Sequence, residues 1–197
     1  MLNYLRFTKE RSLLLGQLTN TQLEAYADAN FAPEGDRKSQ SGAVFKLAGS
    51  SIGWISKKQK TVSTSTTEAE IVALSLAMSE TLWLQNLLAE MGAKIRMPTR
   101  IYEDNQPVIA LVTNQRNQTL IKHLDVKVRA TSDYILKGQI AVEYLPSKFQ
   151  VADCLTKVTN DPNMTDCILG LRNPGVCLER RFPRPDGAAT EDRVRQQ

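Results

Sequence analysis

The apolar residues fall into segments whose spacing changes from strand-like to helix-like along the chain. Residues 1–20 carry leucines among charged positions, which predicts a short helix. Three strand-like runs follow at 23–28, 42–48 and 51–57, and Gly49 with Ser50 between the last two suits a tight hairpin. The sheet is therefore expected to open with three antiparallel strands.

A long helix is predicted after these strands. Ser65 and Glu68 have the spacing of a capping box, in which the serine hydroxyl accepts a free backbone N–H and the glutamate accepts the N–H of the cap residue. Gly92 stands where a C-terminal cap belongs. Between them, apolar residues recur largely at three- and four-residue steps: Ile71, Leu74, Met78, Leu84, Leu87, Leu88 and Met91.

The second half of the chain alternates strands and helices. A strand at 100–104 precedes a helix with Pro107 in its first turn, and a helix at about 121–137 precedes a strand at 139–145. Ser147 and Gln150 predict a second capping box, opening a helix that runs through Thr156. This order predicts an α/β fold: a mixed five-stranded sheet, three antiparallel strands and then parallel strands, flanked by helices.

The composition is typical of a globular protein. With 42% hydrophobic and 23% charged residues among 197, it can bury a core, unlike collagenous or fully disordered chains. No run approaches the roughly 18 consecutive apolar residues of a membrane span, and residues 9–11 are charged where a signal peptide is apolar. We expect no membrane partner and no secretion by that route.

The last part of the chain loses the periodic signal. Four of the eight prolines lie beyond residue 159, near Arg180, Arg181 and Asp186. Residues 159–197 are therefore predicted to form an irregular tail, disordered from about Arg180 onward.

The cysteines and the net charge bear on the cellular compartment and on possible binding partners. Cys154, Cys167 and Cys177 have neither zinc-site spacing nor the pattern of a disulfide framework, which favours an intracellular protein. The net charge of +4 permits a polyanionic partner without requiring one. The densest basic cluster is a candidate for phosphate contacts, with solvated surface as the alternative: Lys57, Lys58 and Lys60.

Four acidic residues lie on four different predicted elements. They are Asp28, Glu70, Asp104 and Asp153. Taken singly, each has a structural explanation as a turn residue, a helix-dipole partner, a helix cap or a surface charge. Carboxylates beside apolar strand positions are costly to bury unless hydrogen bonds or a cation compensate them. Together they predict a metal site.

Seven segments resemble, in order and with similar spacing, the motifs of the ribonuclease H domain of copia-type retrotransposon Pol polyproteins. They span about residues 1–157 and lie at 25–30, 35–42, 54–62, 65–70, 101–106, 122–125 and 151–157. The resemblance implies that residues 1–22 are the end of a reverse transcriptase region and that residues 23–158 are the ribonuclease H-like domain.

The resemblance also implies an activity. Asp28, Glu70, Asp104 and Asp153 match the family's carboxylate tetrad, which holds two Mg²⁺ ions, with Mn²⁺ as a possible substitute. The reaction would be cleavage of the RNA strand of RNA–DNA hybrids during reverse transcription. The implied partners are the hybrid and an upstream reverse transcriptase domain, and the implied location is a cytoplasmic virus-like particle or the nucleus.

An enzyme that cuts only RNA must sense the 2′-hydroxyl and grip both backbones. Thr66, Thr67, Asn105 and Gln106 are candidates for those contacts, with helix capping as the alternative. The three lysines of the basic cluster would touch phosphates farther along the duplex.

Several features leave alternatives open. His123, the only histidine, lies inside a predicted helix and is expected to be structural rather than a general base. Asn30, Phe31 and Arg129 depart from the family pattern, as does the tail. A catalytically weak remnant that only binds nucleic acid is one alternative, and a nuclease or integrase-like protein of the same fold that accepts DNA is another.

Overall fold

The computed structural model describes residues 22–32, 35–114 and 122–157, positions 6 and 9, and two short strands. The two short strands are β1 (Ser12–Leu13) and β7 (Leu171–Arg172), and the other five are β2 (Leu23–Asn30), β3 (Gln40–Leu47), β4 (Ser50–Lys58), β5 (Thr99–Glu103) and β6 (Ile140–Tyr144). These five form one sheet in the order β4–β3–β2–β5–β6. β2, β3 and β4 pair antiparallel, whereas β5 and β6 run parallel to β2. The predicted mixed sheet is confirmed.

Helices cover both faces of the sheet. The helices are α1 (Thr66–Glu90), α2 (Gln106–Thr113), α3 (Lys122–Leu136) and α4 (Asp153–Thr156). The main core joins α1, α2 and α3 to one face, where Ala25, Ala27 and Ala43 leave room for α1 to pack. On the other face, Val44 packs with Val151 and Ala152 beside α4. Alternation along β3 thus divides its apolar residues between two cores.

The helix α1 begins and ends close to the predicted residues. Ser65 Oγ accepts the N–H of Glu68 at 3.1 Å, whereas the Glu68 carboxylate accepts from the N–H and the hydroxyl of Thr64, both at 2.7 Å. Gly92 follows the helix with φ +78°, a conformation that costs glycine little. By length and composition α1 is apolar enough to cross a membrane, but half of its apolar window is buried inside the protein, as is usual for a core helix.

The hairpin between β3 and β4 turns one residue earlier than predicted. The two turn residues are Ala48, with φ 52°, and Gly49, with φ 80°, while Ser50 already pairs with Leu47. Two successive left-handed residues match the right-handed twist of the flanking strands, so the turn excludes Ser50.

Two helix predictions are wrong. Ser12–Leu13, inside the predicted helix 1–20, form a strand that pairs with Leu171–Arg172 of the predicted irregular tail. Ser147 and Gln150 open no continuous helix, because a 3₁₀ turn (Ser147–Phe149) comes first and α4 has only four residues. Within the rest of 1–21 only Arg6, which is helical, and Lys9, in a turn, are described. The tail beyond Arg180 lies outside the described residues, and the division into three regions stays a prediction.

Candidate active site

The two central strands bring two of the predicted carboxylates together. β2 and β5 are parallel neighbours with Tyr26 opposite Tyr102, and this register continued by two residues places Asp28 beside Asp104. The other two carboxylates are carried by helices that pack on opposite faces of the sheet: Glu70 in the first turns of α1 and Asp153 as the first residue of α4. All four therefore meet at the carboxyl ends of the strands.

The carboxylate oxygens form two groups that share one residue. Oxygens of Asp28, Asp104 and Asp153 lie within 4.8 Å of one another, and so do oxygens of Glu70, Glu103 and Asp104. Glu103 was not predicted as a site residue from the sequence, although strand alternation places it on the same side of β5 as the apolar Ile101.

Asp28 lies in a nearly closed environment with 2% of its surface exposed. Burial raises its pKa to about 6, although the hydroxyl of Thr156 donates to its carboxylate and opposes that rise. The negative charge of Asp153 raises the pKa further. A divalent cation bound nearby would stabilise the charged form of Asp28 in this position.

One lysine reaches this cluster. Lys157 directly follows α4, and its Nζ lies 3.0 Å from the carboxylate of Asp153, the first residue of that helix. Partial burial acts to lower the pKa of Lys157, but the carboxylates of Asp28 and Asp153 outweigh it and raise that pKa. The ammonium group is therefore held as a counter-ion of the first carboxylate group.

Glu70 and Glu103 are also buried, with 8% and 0% of their surfaces exposed. Burial raises the pKa of Glu70 to about 10 and that of Glu103 to about 9, and the charge of Glu103 adds to the rise at Glu70. The Oε2 atoms of both residues are buried without a hydrogen-bond partner. Buried oxygen ligands that lack donors fit a hard divalent cation such as Mg²⁺ or Mn²⁺.

Long-range hydrogen bonds hold α4 on the sheet. Asn30 Nδ2 donates to the carbonyl of Thr156 at 3.1 Å, and Ser56 Oγ donates to the carbonyl of Leu155 at 2.7 Å. The buried amide of Gln150 donates to Ala27 O at 2.9 Å and, more weakly, to the carbonyl of Tyr102. Gln150 thus joins the two central strands instead of capping a helix.

A groove of about 490 Å³ opens beside Asp104. All four polar residues predicted to contact the RNA backbone or the 2′-hydroxyl line it: Thr66, Thr67, Asn105 and Gln106. Asn105 also caps α2, because its Oδ1 accepts the N–H of Val108 at 3.3 Å. The structure brings these residues together, and their contacts with a ligand stay predictions.

A second, larger groove of about 700 Å³ carries the predicted basic cluster. Lys57, Lys58 and Lys60 line it from β4 and the following loop, and Lys127 of α3, which the sequence analysis did not select, lines it too. Lys58 also forms an ion pair with Asp36 at 3.1 Å.

The remaining reactive residues do not join the carboxylates in the described part of the chain. His123 lies in α3 as predicted, but its side chain is outside the described residues. Cys154 is a free, partly buried thiol, and burial raises its pKa. Cys167 and Cys177 lie outside the described residues.

Comparison with known proteins identifies relatives of this chain. No family model matches it. It is 33% identical over 158 residues to the retrovirus-related Pol polyprotein from transposon RE1 of Arabidopsis thaliana. It is 35% identical over 159 residues to the one from transposon TNT 1-94 of Nicotiana tabacum. Each match covers 80% of this chain but only 11% and 12% of the respective relative, so the chain spans about one tenth of their length.

The fold has solved counterparts. LC11-RNase H1, isolated from compost by a metagenomic approach, has a TM-score of 0.53 at 15% identity, covering 68% of this chain and 92% of that one. A structure of LC11-RNase H1 in complex with RNA/DNA hybrid has a TM-score of 0.51 at 14% identity, covering 68% and 93%. At such identities the likeness establishes the fold. Together, the comparisons identify this chain as a segment with the ribonuclease H fold that is homologous to part of retrovirus-related Pol polyproteins of transposons.

Proposed function

We propose that this chain is a metal-dependent endonuclease that cleaves the RNA strand of RNA–DNA hybrids during retrotransposon reverse transcription. The observation that carries the proposal is the meeting of Asp28, Glu70, Asp104 and Asp153 at the ends of the central strands, with Asp104 common to both carboxylate groups. Four carboxylates from four elements have no common structural purpose, whereas they suit a pair of divalent cations.

The carboxylates would hold the cations, and neighbouring side chains orient the carboxylates. When bound, two Mg²⁺ or Mn²⁺ ions would activate a water molecule for attack and stabilise the leaving 3′ oxygen. Thr156 orients Asp28 by its hydrogen bond, and Lys157 orients Asp153. The backbone N–H of Ala29 acts to lower the pKa of Glu70 and so partly opposes the effect of burial.

Substrate recognition would use the two grooves. Thr66, Thr67, Asn105 and Gln106 line the groove beside Asp104, where hydroxyl and amide groups can hydrogen-bond a 2′-hydroxyl or phosphate oxygens. The lysine groove adds positive charge for phosphates farther along the duplex. The complex of LC11-RNase H1 with RNA/DNA hybrid, which shares the fold, supports a hybrid as the ligand.

We further propose that the domain works beside a reverse transcriptase domain. The relatives are Pol polyproteins about ten times as long as the matched segment. Residues 1–22 would be the end of that upstream domain, and the protein would act inside the cell, in a cytoplasmic virus-like particle or in the nucleus, without a membrane partner.

The experiment is cleavage of a labelled RNA–DNA hybrid, compared with duplex DNA of the same sequence, in Mg²⁺ and in Mn²⁺. We expect only the RNA strand of the hybrid to be cut. Asp104→Asn should lose cleavage yet still bind the hybrid in Ca²⁺, while the control Asp133→Asn, at an exposed position of α3, should behave as wild type.

Two results would contradict this proposal. A folded wild-type protein that binds the hybrid but cuts it in neither metal would be a binding module. Equal cutting of duplex DNA would indicate a nuclease that does not sense the 2′-hydroxyl.

A further inference from the structure

We propose that Glu103 is a fifth carboxylate ligand, which holds one divalent cation together with Glu70 and Asp104, so that Asp104 is shared between two cation positions. This inference rests on the proposed function only in assuming that divalent cations bind at this end of the sheet. It goes beyond the tetrad because Glu103 is not one of the four residues that match the family's carboxylate tetrad.

The spacing of the oxygens suits a cation. One oxygen from each of Glu70, Glu103 and Asp104 lies within 4.8 Å of the others. Oxygens bound to one Ca²⁺ ion are at most about 5 Å apart, and those bound to one Mg²⁺ ion at most about 4 Å, which is twice the usual metal–oxygen distance. The three oxygens are therefore near enough to one another to close on a single divalent cation.

A second observation is independent of this spacing. Glu103 is fully buried and Glu70 is 8% exposed, yet the Oε2 atom of each has no hydrogen-bond partner. A buried oxygen that has lost its water and gained no donor is destabilising unless something else binds it. Two such atoms in one group of carboxylates point to a ligand that offers positive charge rather than a single hydrogen.

The protein supplies this group with only partial compensation. The backbone N–H of Asn105 donates to Glu103 at 3.1 Å, and the backbone N–H of Ala29 acts to lower the pKa of Glu70. The lysine at the site, Lys157, forms its ion pair with Asp153 in the other carboxylate group. A cation between Glu70, Glu103 and Asp104 would supply the positive charge that backbone N–H groups alone do not provide.

The test measures cation binding without nuclease activity. Mn²⁺ is titrated into the full chain, and free Mn²⁺ is followed by electron paramagnetic resonance. We expect two bound ions for wild type, and for Glu103→Gln a loss of at least tenfold in the affinity of one of them. Glu90→Gln, at an exposed position of α1, is the matched control and should leave both affinities unchanged.

A second variant guards against misfolding of the first. Glu103→Asp keeps the charge but draws the carboxylate back by one methylene, so it should also weaken one Mn²⁺ site. Thermal unfolding adds a structural readout, because Mn²⁺ should raise the melting temperature of Glu103→Gln less than that of wild type or Glu90→Gln. Wild-type Mn²⁺ affinities in both Glu103 variants would overturn the inference and make Glu103 a buried structural acid.

The inference and the proposed function can fail separately. If wild type binds two Mn²⁺ ions and Glu103→Gln binds one of them weakly, the inference holds even where no hybrid is cut. If the hybrid is cut but Glu103→Gln retains both Mn²⁺ affinities, the inference alone is overturned. A folded wild-type chain that binds no Mn²⁺ overturns it as well.

Discussion

Replacing Gly42 with alanine adds only one methyl group, yet it should disturb the carboxylate site. It lies on β3 opposite Asp28. A Cβ atom added there would stand 2.7 Å from Thr156 Cγ2, 2.9 Å from the carbonyl oxygen of Ala152 and 3.2 Å from Leu155 Cβ. All three neighbours belong to α4 or the residue before it, so a methyl group at position 42 must push this segment away from the sheet.

The size of the effect follows from these distances. Carbon atoms in contact are about 3.5 Å apart, so the Thr156 methyl group must retreat by roughly 0.8 Å. Overpacking of this kind costs about 1–3 kcal/mol of unfolding free energy. The same shift loosens the Thr156 hydrogen bond to Asp28 and moves Asp153, and a misplacement of about 1 Å can cost on the order of 100-fold in rate.

Gly53→Ala is the matched control, because a Cβ atom there meets only Phe45 Cδ2, at an ordinary 3.7 Å. Neither Gly42 nor Gly53 has a positive φ. Urea denaturation should show Gly42→Ala destabilised, and Gly53→Ala unchanged or stabilised by up to about 1 kcal/mol. RNA-strand cleavage should fall only for Gly42→Ala. Equal stabilities and equal rates for the two variants would refute the account of how α4 is seated.

Three further predictions concern the surroundings of the site. Gln150→Ala, which removes the hydrogen bonds to Ala27 and Tyr102, should lower the unfolding free energy by about 2 kcal/mol in urea denaturation, and an unchanged midpoint would contradict the bridging role. Because burial raises the pKa values of Glu70 and Glu103 to about 10 and 9, the cation-free folded state keeps protons that the unfolded chain releases above about pH 4.5. Its melting temperature should therefore fall as pH rises from about 5 to 9, less so in saturating Mg²⁺, whereas calorimetry showing a rise without cation would contradict the shifts. Lys157→Met removes a positive charge that competes for Asp153, so the affinity for Mn²⁺ should rise about fivefold, as expected for roughly 1 kcal/mol, and a weaker affinity would show that the lysine assists cation binding.

Local patterns predict the strands and the long helix because their causes are local. The alternation along β2 and the spacing in α1 reflect burial on one face, and Ser65 and Gly92 end α1 through contacts within a few residues. The turn of the hairpin was predicted one residue too late because Gly49 fits either position of a two-residue turn. Only the pairing of Leu47 with Ser50 decides between the two.

Long-range contacts explain what the sequence did not predict. Ser147 and Gln150 have capping-box spacing, but the Gln150 amide reaches Ala27, 123 positions earlier, which no local pattern encodes. Asn30, a departure from the family pattern, holds the end of α4 through Thr156, 126 positions later.

The carboxylate site was likewise predicted only in part from local patterns. Asp28 and Asp104 could be expected together because both follow apolar strand positions. Glu70 and Asp153 were singled out as acidic residues on two predicted helices, and the family resemblance then matched all four to the tetrad. Glu103 was missed because an acidic residue next to Asp104 looks like part of an exposed strand end. Only the structure shows that it is fully buried and within the group of Glu70.

The most direct test of the central claim is the rate of RNA-strand cleavage in an RNA–DNA hybrid as Mg²⁺ is titrated, for wild type and for Asp28→Asn. Asparagine keeps the shape of the side chain and can still accept from Thr156, so the fold is retained while the negative charge is lost. We expect wild type to cut the RNA strand in an Mg²⁺-dependent manner and Asp28→Asn not to cut it at any Mg²⁺ concentration. Equal cutting by both proteins, or cutting by wild type without any divalent cation, would contradict this expectation.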